Sequence, residues 1–278
     1  MSENQNQNPV DPTVASAITS IINSIATEEN ALTFMIAELA AEVNAVVGTN
    51  PTSLTTLTTV DNNVKRKLQL ILKKNIVLEK KLRDAVNFFP NLTFLPGELA
   101  ALITALNNVI GSVANEEAAL ADLIRAEAAK VSFVATHPTT FTASDLVTIN
   151  NNVDSVIQLI LDKNIVLEEK LEDVLRGFAN LGITITNPTF GPLISSALAS
   201  VITSIATEEA SFGALISAEA TKIGIITSGV TRGTNTPAQL SAVNASVENM
   251  LHDILNKNII LETKLKDVLD FLTPPTMI

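Results

Sequence analysis

A threefold internal repeat constrains this chain more than any other feature. SIATEENALTFMIAE starts at Ser24, SVANEEAALADLIRAE at Ser112 and SIATEEASFGALISAE at Ser204, at spacings of 88 and 92 residues. A second block, KNIVLEKKLRDAV from Lys74, returns as KNIVLEEKLEDVL from Lys163 and KNIILETKLKDVL from Lys257, at spacings of 89 and 94 residues. Two unrelated segments recurring in the same order mean that one unit has been triplicated.

Each unit reads as two long helices. The first helix is expected over Thr13–Val47, Glu98–Ala135 and Leu193–Ile226, and the second over Leu54–Phe88, Ala143–Phe178 and Pro237–Leu272. The turns between them are GTNPTS, THPTTFTAS and SGVTRGTNTP, rich in residues that stop helices. Ser53, Thr142 and Thr236 stand at equivalent positions just before the second helix, where a hydroxyl accepts from a free first-turn N–H. Pro237 and Gln239 complete a capping-box start in the third unit. Helices of about 35 residues are about 50 Å long, so the units are rod-like. The expected fold is all-α: three tandem hairpins with short Thr/Pro-rich connectors, as a six-helix bundle or a pseudo-threefold arrangement. The expected divisions are a flexible arm over 1–12 and hairpins over 13–90, 91–180 and 181–278. The alternation Ile183-Thr184-Ile185-Thr186 in the last connector suggests a short strand.

Both helices carry heptad seams. Val64, Leu68, Ile71, Asn75, Leu78 and Leu82 alternate steps of four and three, and Asn164 and Asn258 take the place of Asn75 in the other units. On the first helix, Ile18, Ile22, Ile25, Glu29, Leu32 and Ile36 do the same, with Glu117 and Glu209 equivalent to Glu29. A buried amide or carboxylate needs a partner. The six polar residues read as register devices, each penalising a slipped alignment. Converging Glu and Asn oxygens would alternatively suit a calcium or magnesium ion. Glu28, Glu116 and Glu208 read as the solvent-facing members of their doublets. Lys81, Lys170 and Lys264, close to Glu79, Glu168 and Glu262, read as ordinary surface pairs.

The chain offers little for catalysis. There is no Cys, Trp or Tyr, and only His137 and His252, which do not recur between units. Thiolate metal sites and disulfides are thereby excluded. The Glu-x-x-His pair of di-iron bundles is missing, because Leu82, Leu171 and Leu265 follow Glu79, Glu168 and Glu262 three residues on. No catalytic, cofactor-binding or metal-binding residue is assigned, no cofactor is expected, and the chain is expected not to be an enzyme. A formal charge of −11 without a basic stripe argues against nucleic acid. No unbroken run of 18 apolar residues occurs, which argues against a membrane span, and the start MSENQNQNPVDPT does not read as a secretory signal.

The first helices are bare of charge where they begin: from Pro12 to Thr27, from Leu99 to Asn115 and from Gly177 to Thr207. A solvated hairpin should show a charged outer face there. Only 17% of residues are charged overall, and the mean hydropathy is +0.32. Either the second helices shield these stretches or they pack against other copies. The candidates for self-association are Ile18, Ile22, Ile25, Leu102, Leu106, Ile110, Leu198, Ile202 and Ile205. A chain presenting three similar surfaces is suited to head-to-tail contacts that propagate.

The block SIATEEAxxxxLIxAEA, clearest at Ser204–Ala220 and Ser112–Ala128, resembles the short helical proteins of spore-forming Firmicutes associated with the spore surface or exosporium. The resemblance covers the helical cores of all three units. The first unit departs from it, with Leu39 where the motif has Glu127 and Glu219, and Glu38 one place earlier. What the resemblance implies is a structural role as a fibre, appendage or surface-layer subunit; the expected location is outside the cell or on the spore surface, otherwise the cytoplasm, and the expected partners, from the uncharged helix surfaces, are other copies of itself. The residues alone leave two alternatives: a soluble module that binds a peptide or lipid, and a carboxylate metal-binding protein.

Overall fold

Apolar residues at heptad spacing, with proline kept to first turns and connectors, wind the described residues into six long helices. The computed structural model describes residues 12–92 and 94–273. It contains α1 (Pro12–Gly48), α2 (Leu54–Phe88), α3 (Pro96–Thr136), α4 (Ala143–Asn180), α5 (Gly191–Thr231) and α6 (Pro237–Leu272), plus a 3-10 turn at Phe89–Asn91. Pro12, Pro96, Pro192 and Pro237 all lie at helix starts, where the missing N–H loses no bond. The expected arm over 1–12 lies, apart from Pro12, outside the described residues.

Thr142 and Thr236 cap their helices as expected, accepting from the Asp145 and Gln239 backbone N–H groups. Ser53 precedes α2 but makes no side-chain cap bond. The Ile183–Thr186 stretch is not a strand: it forms turns that lay Ile183 over the core, and Gly191 then starts α5 against the Ile185 carbonyl. A Cβ at position 191 would sit 1.9 Å from that oxygen, so only glycine fits. The alternation lacks a partner strand among the described residues, and connector geometry prevails.

Within each hairpin the two helices run antiparallel. The hairpins then stack side by side in a row: α3 lies between α1 and α5, and α4 lies between α2 and α6. The molecule is a two-layered slab, with the first helices in one layer and the second helices in the other. Among the described residues no extended packing joins α1 to α5, so the three units do not close around a pseudo-threefold axis. The side-chain pairs Asn23–Asn108 and Asn30–Asn115, at 3.3 and 3.2 Å, show α1 and α3 running parallel at a constant offset.

This placement explains the uncharged helix starts. Ile18, Ile22, Ile25, Leu102, Leu106, Ile110, Leu198 and Ile205 are buried between sister helices, and Ile202 is half-buried. Except for Ile18, which also lines an open groove between α1 and α2, these positions are occupied by packing within the chain, so most of the surface available to other copies lies elsewhere. The outward rows of the first-helix layer hold Ser, Thr and Asn, and the Ser and Thr hydroxyls donate to their own helix, as in Ser20 to Ser16 O, Thr104 to Ala100 O and Thr203 to Ala199 O. Thr13–Gly48 and Pro96–Thr136 are both long and apolar enough to cross a membrane. The apolarity of α3 is accounted for by its position between two sister helices.

Candidate functional site: charged layers between the hairpins

Halfway along the helices, a layer of charged and amide side chains cuts through each hairpin–hairpin junction. Between the first and second hairpins, the Glu29 carboxylate meets the Lys170 ammonium and accepts from the Ser112 hydroxyl. Glu116 takes the Lys163 ammonium at 2.5 Å on one oxygen and the Asn75 amide at 2.9 Å on the other. All six side chains are almost wholly shielded from solvent.

The second junction repeats this arrangement. Glu117 meets Lys264 and accepts from Ser204. Glu208 accepts from Asn164 at 2.9 Å and lies 3.2 Å from Lys257. Each layer thus holds two carboxylates and two ammonium groups, a neutral set. Burial pushes the Glu29 and Glu208 carboxyls up, partly opposed by Lys170 and Lys257 respectively. It pushes the Lys163 and Lys257 ammonium groups down to about 8, against the pull of Glu116 and Glu208.

Several expectations need correction. Glu29 and Glu117 are buried as the seam predicts, but Glu209 is exposed; Asn75 and Asn164 are buried, but Asn258 is exposed. Glu116 and Glu208 are not solvent-facing, and Glu28 is half-buried against Lys74. Lys170 and Lys264 are not surface residues: they are fully buried, while Lys81 is exposed. The reason is common to all. Identical positions meet a sister hairpin inside the row and none at its ends. The buried seam amides Asn75 and Asn164 are partnered rather than merely tolerated, and the lysines that complete the layer carry no periodic signal, because lysine normally marks a solvated face. The available signal was identity: Ser, both Glu, both Lys and Asn recur unchanged in all three units.

A further charged group lies nearer the hairpin turns. Lys130 is buried between Asp61 of the preceding hairpin and Glu127 of its own helix. In the third hairpin, Lys222 pairs with Glu219, and buried Asn150 stands where the first hairpin has Asp61. The described residues contain no grouping of three His, Asp or Glu that could hold a metal ion. In the layers, lysine ammonium groups stand opposite the carboxylates that a cation would need.

A slab of repeated antiparallel hairpins, joined through buried neutral polar layers, defines a tandem-repeat structural domain. The chain belongs to the alpha-helical endospore appendage domain family, whose model matches three times, over residues 13–89, 103–177 and 194–272. No curated protein matches. A solved structure titled "Computational Design of Self-Assembling Cyclic Protein Homooligomers" aligns over 93% of this chain and 99% of its own at 11% identity, with a TM-score of 0.15. That score is too low to bear on fold or assembly.

Proposed function

We propose that this protein is a non-enzymatic structural subunit of a spore-surface appendage and that it assembles with copies of itself. The supporting observation is the continuity of the slab. Each appendage domain packs on a neighbour through its flank, and the middle domain uses both flanks. Among the described residues, the first and third domains each leave their other flank, of the same kind, uncovered. Tandem repeats that end at solvent carry polar caps on their outer faces. Here Ile21 and Met35 at one end and Leu251 and Leu255 at the other are exposed, which is not the surface of a capped monomer.

The test is direct observation of purified protein. Negative-stain electron microscopy together with light scattering should show extended assemblies that lengthen with concentration. A monodisperse 29.5 kDa species persisting to high concentration overturns the proposal.

A further inference from the structure

The row of hairpins has two different ends, and each carries the half of the polar layer that the other lacks. At the α1–α2 end, Ser24 and Lys81 are exposed and Glu28 is half-buried against Lys74; these correspond to Ser112, Lys170, Glu116 and Lys163 of the first internal layer. At the α5–α6 end, Glu209 and Asn258 are exposed; these correspond to Glu29 and Asn75. All six side chains needed for a third layer are therefore present, divided between the two ends.

The apolar positions divide in the same way. Ile21 and Met35 are 45% and 48% exposed, whereas their equivalents Val109, Val201, Leu123 and Leu215 are buried against the preceding hairpin. At the opposite end, Ile216, Leu251 and Leu269 are exposed, whereas Ile124, Ile157 and Leu175 are covered by the following hairpin. A groove of about 450 Å³ between α1 and α2 has Ile18, Ile21, Ser24, Lys81, Asp84 and Phe88 among its lining residues. The matching surface of the second hairpin is where Glu29 is seated on Ser112 and Lys170.

Building on the self-assembly reading, we infer that copies join head to tail through these ends. The α5–α6 edge of one copy lies on the α1–α2 edge of the next, in the register of the internal junctions. Glu209 meets Lys81 and Ser24 of the next copy, and Asn258 donates to its Glu28, which keeps Lys74. The new layer holds two carboxylates and two ammonium groups, so it buries no net charge, as inside the chain. The contact is heterologous: an end cannot pair with its own kind, because Glu209 would face no lysine. Such a contact propagates without limit unless the rotation closes a ring.

The test is charge exchange at two side chains that are exposed in the single chain, Glu209→Lys and Lys81→Glu. Each variant alone should keep the wild-type circular dichroism melt below the assembly concentration. Each should raise the critical concentration for assembly about a hundredfold or more, because it buries two like charges. The double variant should assemble as wild type does. An equimolar mixture of the two single variants should also assemble, as each contributes the edge that suits the other. Single variants that assemble at the wild-type concentration overturn this interface while leaving self-assembly through another face intact. Failure of the mixture and of the double variant overturns the pairing of these two ends. Wild-type protein that stays monomeric overturns this inference together with the reading beneath it.

Discussion

Glu117 and Glu209 occupy the same position in successive units, yet one is buried on Lys264 and Ser204 and the other faces solvent. Glu117→Ala leaves the Lys264 ammonium buried without its counter-charge and should cost about 3–5 kcal/mol. Glu209→Ala should shift stability by no more than about 0.5 kcal/mol. Urea denaturation below the assembly concentration measures both; equal effects would mean the two environments are alike. The amides follow the same division. Asn75→Leu and Asn164→Leu each remove a donor from a buried carboxylate, at about 1–3 kcal/mol, whereas Asn258→Leu should leave the single chain unaffected. As register devices alone, the amides would give way to leucine with a gain in stability; their bonds to Glu116 and Glu208 reverse that sign. The presence of polar residues in the seams was legible in the sequence. Their partners were not, because the choice between Glu116 and Glu117 depends on which sister hairpin lies over each.

Helix lengths, caps and turns were largely legible, since local chemistry decides them: Thr142 and Thr236 cap, and proline stands at the starts. The connector was not legible, because alternation of Ile and Thr signals a strand only where another strand is present to pair with it. The titration of the contact between α4 and α6 was not legible at all. Asp154 of α4 lies against Asp253 of α6, and burial together with that second carboxylate and Glu219 pushes the Asp154 carboxyl up to about 6. Its ordinary value is 3.8, so the folded state holds a proton more tightly than the unfolded chain. The resulting stabilisation is fully present below about pH 4 and is lost as pH rises through about 6. Asp154→Asn should remove this dependence and raise stability at pH 7 by up to about 1 kcal/mol, the scale of a partly exposed like-charge contact. Thermal melts of both proteins from pH 4 to pH 7 provide the check. A wild-type melting temperature that rises steadily across that range, with the variant parallel to it, would rule out the shared-proton contact.

At the scale of the whole molecule, the row of hairpins could not be distinguished from a ring by periodicity, because both bury the same stripes. The distinction lies in the unequal exposure of equivalent residues: a closed ring would treat Ile21, Val109 and Val201 alike, and here only Ile21 is exposed. An open row sets the dimensions of any head-to-tail polymer. Packed helices lie about 8–10 Å apart, so three hairpins advance the row by about 25–30 Å per copy. The helices, about 50–60 Å long at 1.5 Å per residue, lie across that direction and set the width. One 29.5 kDa chain per such step gives a single strand of about 1 kDa per Å. Mass-per-length measurement by scanning transmission microscopy, with the axial repeat from cryo-electron micrographs, should return these values. An axial step near 50 Å with helices along the fibre would mean that copies join through hairpin tips and connectors rather than flanks. A doubled mass at the 25–30 Å step would mean that two rows lie back to back, for which the uncharged Ser/Thr/Asn face of α1, α3 and α5 is the surface with fewest charges to desolvate.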